Sequence, residues 1–288
     1  MWQQDSSISP SIAPLASEDN DDIYAAAVLL TTIEAIDCSL SNVNNLDDSG
    51  LESYLDLLDE RAVTDEEVAV ALEIIGKSWN PYFVLWSRWA ERAEWIAPSR
   101  FKSCPYPRAP RSPIILIGGS FQLRQRAIEL FSWAIPDPET LKLMINTCPR
   151  IVEVGSGSGY WAAMLSKLGA DVVAVDRRRA NSDDEEGVGK WFENENCLAS
   201  QFMIDNDGCS DCALFLCCPG KTDADIAKCL PLFEGRWIFS VGEGRDGYTL
   251  DIEACLNSMP SIGWNHVLRR EIPSWLWTYH YFDVYERR

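Results

Sequence analysis

The residues best placed to do chemistry lie in one run, Val152-Glu153-Val154-Gly155-Ser156-Gly157-Ser158-Gly159-Tyr160-Trp161, where an apolar strand pattern gives way to a helical one. Alternate glycines at such a junction permit positive φ and leave bare backbone for a ligand to approach, while the first helical turn offers free N–H groups. A dinucleotide fingerprint, Gly-x-Gly-x-x-Gly, would need its third glycine at position 160, which is Tyr160. The spacing is instead Gly-x-Gly-x-Gly, with the acid Glu153 two residues ahead of it. A second acid, Asp176, closes the next apolar run 23 residues beyond Glu153, where a carboxylate can accept both hydroxyls of a ribose.

An acidic residue, one spacer and Gly-x-Gly-x-Gly resemble the first motif of the class I S-adenosylmethionine-dependent methyltransferases. The resemblance runs from about Phe131 to Arg288 and takes in the acid ending the second strand, the later strand-helix units and a terminal hairpin. Ser132-Trp133-Ala134-Ile135-Pro136, ahead of the turn, is similar to a segment of a little-described group of methyltransferase-like proteins. The resemblance implies S-adenosyl-L-methionine as cofactor. Glu153, Gly155 and Gly157 would meet its methionine end, with Ser156 and Gly159 completing the turn, and Asp176 would hold the ribose. Asp205 or Asp207 would accept from the adenine amine. Trp133, just ahead of a proline turn, reads equally as a lid over the cofactor or as core packing. One departure follows the fourth strand. Base and amide N-methyltransferases often carry Asn/Asp-Pro-Pro-aromatic there, whereas this chain has Cys217-Cys218-Pro219-Gly220. Methylation of nucleic-acid bases is therefore without support.

Methyl transfer is an in-line displacement, so positioning and exclusion of water matter most. Ligands of open α/β sheets sit beyond the carboxyl ends of the strands. That rule places Cys218 and Pro219 after strand four, and Glu243 after strand five, at the acceptor site. An antiparallel last strand begins at the same edge, so its hairpin connection, with Trp275, Trp277 and Tyr279, is expected to overhang the acceptor. Where a proton must be removed, Glu243 and His280 are the candidate bases. Cys209-x-x-Cys212 followed by Cys217-Cys218 invites a zinc reading, but structural zinc takes two separated ligand pairs. Adjacent strand residues point to opposite faces, so we read no metal site and treat these cysteines as small buried hydrophobes. Neither His266 nor His280 is near a cysteine in sequence, and no nucleophilic triad is assigned.

These residues need a scaffold, and the chain of 288 residues is long enough to build one. From Ile151 onward, short apolar runs at Ile151–Val154, Val172–Val175, Ala213–Cys217 and Trp237–Val241 alternate with helical patterns. Alternation of this kind means a parallel sheet covered on both faces. Asn265–Ile272 and His280–Glu286 lie too close together for a helical crossover and should form an antiparallel hairpin. The expected fold is α/β, a doubly wound, mostly parallel seven-stranded sheet with an antiparallel C-terminal hairpin, over residues 114–288. Before it stand a disordered tail, 1–20, and an all-helical region with a proline-rich basic linker, 21–113. Helix starts are signalled by the capping boxes Thr64-x-x-Glu67 and Thr222-x-x-Asp225, by Asn80-Pro81, and by Asp137-Pro138.

The net charge is −19, and residues 1–60 hold 13 acids and no Lys or Arg. Such a surface repels phosphate backbones and anionic lipids, so neither a nucleic-acid nor a membrane partner is expected. No signal-peptide pattern opens the chain, and its ten cysteines suit a reducing, cytoplasmic setting. A small-molecule acceptor is the first expectation, with a protein acceptor behind it. The rival readings are a catalytically silent cofactor-binding scaffold with a protein partner, and a nicotinamide oxidoreductase, the latter disfavoured by Tyr160.

Overall fold

The computed structural model describes residues 20–34, 64–96, 124–177, 191–243, 247–259, 263–275 and 278–288, with backbone alone at 20–22, 34 and 91–96. The helical pattern around Leu51–Leu58, the linker Pro98–Pro113, the run Ile114–Ile117 and Trp277 lie outside these residues.

Seven strands form one sheet in the order β3-β2-β1-β4-β5-β7-β6. They are β1 Arg150–Val154, β2 Asp171–Val175, β3 Asn194–Glu195, β4 Ala213–Cys217, β5 Trp237–Gly242, β6 Trp264–Glu271 and β7 Tyr281–Arg287. The first five are parallel, whereas β7 inserts antiparallel between β5 and β6. The strand order reverses between β1 and β4, which opens the crevice where ligands of such sheets bind.

Period-two alternation divides the strand side chains between two cores. Ile151, Phe215, Phe239, Val241, Phe282 and Val284 face one core, together with helices α1 Asn20–Glu34, α2 Asp65–Gly76, α3 Pro81–Ile96, α4 over 124–130, α5 Pro138–Thr147 and α6 Tyr160–Lys167. Val152, Val154, Leu214, Leu216 and Ile238 face the other, with α7 Ala199–Asp205, α8 Ala224–Cys229 and α9 Ile252–Asn257. Because both faces are covered, the parallel strands read as continuous apolar runs.

The N-terminal helices are fastened to the sheet domain by a polar core set among aromatic rings. Asn80 Nδ2 donates to the Pro136 carbonyl at 2.7 Å, and Tyr160 Oη donates to Asn80 Oδ1 at 2.9 Å while accepting from Tyr82 N at 3.0 Å. Tyr82 stacks on Phe131 with centroids 4.9 Å apart, and Trp89 meets Trp275 at the same separation. Trp86 and Trp89 are thus packing residues. Trp86 Nε1 donates to the Ser274 carbonyl at 3.0 Å, tying α3 to the hairpin connection.

Local signals behave as their chemistry dictates, with two corrections. The Thr64 box closes on both sides, and Asp137 caps α5 by accepting from Glu139 N and Thr140 N. Helix α8, however, is capped by Asp223, one residue beyond Thr222. Asp225 turns away to accept from Ala199 N at 2.7 Å and Ser200 N at 3.3 Å, so it caps α7 instead. The first helix begins at Asn20, inside the span expected to be tail.

Candidate functional site

The glycine turn joins β1 to α6, and all three glycines have positive φ, 69° at Gly155, 56° at Gly157 and 75° at Gly159. They serve different ends. A Cβ on Gly159 would lie 2.8 Å from Phe192 Cβ and 2.9 Å from its carbonyl oxygen, so this glycine is required by the protein's own packing. A Cβ on Gly155 or Gly157 would meet nothing within 4 Å among the described residues. The open face of the turn therefore lies over its first two glycines. Backbone bonds hold the loop to the next strand, Gly155 N and Ser156 N donating to the Val175 carbonyl at 2.8 and 3.3 Å.

Both predicted carboxylates converge on this turn. Asp176 Oδ2 accepts from Gly157 N at 2.6 Å, and the aspartate is half-buried at the end of β2. Glu153 is 1% exposed beneath the turn, and burial, offset by the Ala162 N–H and reinforced by the charge of Asp176, pushes its pKa up to about 8. Its Oε2 and the Ser156 hydroxyl have no hydrogen-bond partner among the described residues. Buried polar atoms are seldom left so, and two beside an open glycine turn are what a site shaped for a polar, cationic group presents. The residues fit the methionine end of S-adenosyl-L-methionine on this count.

Sequence reasoning missed Asn194. Its Nδ2 donates to the Gly157 carbonyl at 2.8 Å, while its Oδ1 is buried without a partner among the described residues. It was invisible because β3 has only two residues and leaves no periodic signal. The structure places the adenine candidates, Asp205 and Asp207, on and just after α7. Asp205 is exposed in the last turn of α7, where Gln201 Nε2 donates to it at 2.8 Å. Helix α7 carries it ~10 Å along its axis from the strand end, and the residue that follows β3 is Asn196. Asp207 is likewise exposed.

On the acceptor side, strand register sets Cys217 opposite Val241, and Gly242 opposite Tyr281. Cys218, Glu243 and His280 therefore share one edge. Cys218 has φ 49°, and its N–H donates to the Val241 carbonyl at 2.8 Å. That bend ends the strand and leaves the Cys218 thiol close enough to Cys217 to feel it, although adjacent strand residues were expected to point to opposite faces. Cys218 also feels His280, 62 positions away in the chain. Cys217 first, and then His280, hold the Cys218 thiol well below the ordinary range, while its desolvation and the charge of Glu243 oppose them. Cys217, the other partner, is pushed up.

Other expected acceptor residues fall differently. Trp275 is 1% exposed, donates from Nε1 to Tyr82 Oη at 3.0 Å, and fills the junction with α3, so it offers no stacking surface. Tyr279 is half-buried, as is Pro219, whose carbonyl accepts from Leu250 N at 2.9 Å. Glu243 accepts from Tyr248 N at 2.7 Å, so its carboxylate already closes a loop. Trp133 is 55% exposed, with Arg124 5.8 Å from its ring centroid. Its neighbours Phe131 and Ala134 anchor the segment by accepting from the Ser158 hydroxyl and from Trp161 Nε1.

No protein-family model matches the chain. It is 41% identical over 66 residues to a protein-L-isoaspartate O-methyltransferase of Bradyrhizobium sp. strain BTAi1, a stretch covering 23% of this chain and 28% of that protein. Over 41 residues it is 51% identical to the protein of the same name from Azorhizobium caulinodans, covering 14% and 19%. Over these stretches the chain is similar to methyltransferases of that name. These matches span less than a third of the curated relatives' length. Among solved structures, a magnesium protoporphyrin IX methyltransferase from Synechocystis PCC 6803 aligns at a TM-score of 0.37 and 12% identity, over 64% of this chain and 88% of that one. A precorrin-6y C5,15-methyltransferase from Geobacter metallireducens aligns at 0.36 and 10%, over 54% and 90%. Among the described residues, no helix is long and apolar enough to cross a membrane.

Proposed function

We propose that this chain is an S-adenosylmethionine-dependent methyltransferase acting on a small-molecule acceptor. The observation that carries the reading is the unpartnered Glu153 Oε2 beneath the open faces of Gly155 and Gly157. When bound, S-adenosyl-L-methionine supplies a methyl group activated by its sulfonium centre. Glu153 and Ser156 orient the amino-acid end, Asp176 and Asn194 brace the turn and meet the ribose side, and the β4, β5 and β7 ends hold the acceptor. His280 is the group that removes a proton where the acceptor carries one. A small acceptor is favoured because the N-terminal helices pack on the connection that leads into β7, Trp275 Nε1 donating to Tyr82 Oη and Trp86 Nε1 to the Ser274 carbonyl.

The test is calorimetric titration with S-adenosylhomocysteine, followed by methyl-transfer assays with labelled donor. Wild type should bind at micromolar concentration, and Asp176→Ala should weaken binding by ~1–3 kcal/mol. Absence of binding to folded wild type overturns the reading; binding without turnover on any acceptor favours the silent scaffold. The name shared by the sequence relatives supports a second reading, a carboxylate acceptor on a protein. An isoaspartyl peptide offered as acceptor separates the two.

A further inference from the structure

Among the described residues, Arg124 is a cation left without an anion. It opens the described part of helix α4, and its Nε is buried with no hydrogen-bond partner. Other arginines of the chain are satisfied: Arg150, Arg236, Arg269 and Arg270 each reach a carboxylate, and Arg287 reaches the carbonyls of Phe233 and Gly235. Supply is not the reason, because the chain holds 44 acids against 25 lysines and arginines. A guanidinium cannot shed its charge, and buried polar atoms are seldom left unpaired. The guanidinium carbon lies over the Trp133 ring, 5.8 Å from its centroid. A ring on one face braces the group and leaves its in-plane N–H fork, whose shape matches the two oxygens of a carboxylate, to a ligand.

The place of this pair in the fold says whose carboxylate it is. Segment 131–136 starts on the glycine turn, where the Phe131 carbonyl accepts from the Ser158 hydroxyl. It ends on α3, where the Pro136 carbonyl accepts from Asn80 Nδ2 at 2.7 Å. Trp133 thus stands between the cofactor turn and the helix that walls the acceptor half, and its segment is fastened at Ser158, past the two open glycines. We propose that Arg124, braced by Trp133, binds a carboxylate carried by the methyl acceptor. That the carboxylate belongs to the acceptor rests on the methyl-transfer reading; that Arg124 binds one does not. The ligand class is a small organic acid whose body lies along the indole, which is 55% exposed. Binding is by charge and hydrogen bonds, and no covalent bond is made or broken.

The test is thermal unfolding of the intact chain without cofactor, titrated with benzoate at constant ionic strength. Benzamide, its neutral counterpart, and inorganic phosphate are run in parallel. Benzoate should raise the Tm of wild type, with benzamide and phosphate about tenfold weaker. Arg124→Gln should weaken benzoate about tenfold, the worth of a hydrogen-bonded charge, and Arg124→Lys, which keeps the charge but not the fork, should recover part of the loss. Trp133→Ala, at an exposed position, should weaken benzoate severalfold and keeps the proposal testable if the arginine variants fail to fold. A benzoate shift that is absent, that benzamide or phosphate matches, or that survives these substitutions would overturn it. A second titration, with S-adenosylhomocysteine, fixes the source of the carboxylate. The affinity of Arg124→Gln should stay within about twofold of wild type, as for separate sites; a larger loss would give the arginine to the cofactor's own carboxylate and overturn the assignment. If wild type binds benzoate through Arg124 but not S-adenosylhomocysteine, the methyl-transfer reading falls and the anion site stands. The reverse result removes the anion site and leaves the reading intact.

Discussion

The two halves of the sheet's carboxyl edge are built by opposite means. On the β1-β2-β3 side, backbone makes the site: three glycines with positive φ, one carbonyl held by Asn194 and one N–H held by Asp176. On the β4-β5-β7 side, side chains make it, and among the described residues the left-handed position there is a cysteine, Cys218, rather than a glycine. A backbone-built site leaves its ligand little freedom and asks the sequence for a fixed spacing. A side-chain site can change its chemistry by substitution while the strands stay in register. Under the proposed function, the first half would specify the cofactor and the second the individual reaction.

The largest effect should come from dividing the glycine turn against itself. Gly159→Ala combines a left-handed residue with contacts of 2.8 and 2.9 Å to Phe192, part of them backbone that cannot rotate away. Thermal unfolding should show a loss of roughly 3 kcal/mol or more. Gly157→Ala meets open space and keeps only the conformational cost, ~1–2 kcal/mol, yet its methyl projects from the turn's open face. It should abolish S-adenosylhomocysteine binding in calorimetry. Equal destabilisation by the two variants would erase the distinction between a packing glycine and a ligand glycine.

Next in size is the wall that encloses the acceptor half. Tyr160 Oη accepts from Tyr82 N and donates to Asn80, and all three residues are buried. Tyr160→Phe leaves a buried N–H and a buried amide oxygen each short of a partner, costing ~1–3 kcal/mol. If α3 helps shape the acceptor pocket, KM for the acceptor should rise while S-adenosylhomocysteine affinity stays within twofold. A matched loss of both would mean that the two halves are not separable.

Legibility in the sequence follows the same division. Glu153, the glycines and Asp176 fall within 24 consecutive positions, so their spacing alone identifies the turn. The parallel strands were visible because burial on both faces leaves unbroken apolar runs such as Ala213–Cys217. Three features stayed hidden. Strand β3 is too short for any period. The bend at Cys218 uses a residue type with no preference for positive φ. The His280 contact joins positions that only the completed sheet brings together. Trp275 was readable as an aromatic residue in the hairpin connection, but its use in packing depends on α3, nearly two hundred positions earlier.

Glu153 lets the backbone-built half be tested without disturbing its geometry. Its folded-state pKa of about 8 lies above the unfolded value, ~4.3. Between those values the folded chain retains a proton that the unfolded chain has released, so stability should fall as pH rises from about 4.5 to about 8 and then level off. Glu153→Gln removes that slope and should be the more stable protein at pH 8 by at least about 1 kcal/mol, the worth of a single pKa unit. Denaturant melts at pH 5 and pH 8 measure the difference directly. Parallel slopes for variant and wild type would mean that water reaches the carboxylate.

The smallest expected effect tests where the adenine side of the cofactor lies. Asp205 accepts from Gln201 on the same exposed helical face, so Asp205→Ala should change stability and S-adenosylhomocysteine affinity by less than about 0.5 kcal/mol. Asn194→Ala removes the clamp on the Gly157 carbonyl and the unpartnered Oδ1 beside it, and should weaken affinity about tenfold. If Asp205→Ala were the more damaging of the two, helix α7 would have to pivot on ligand binding and bring its last turn to the strand ends. The adenine subsite would then be assembled by the ligand and not built in advance.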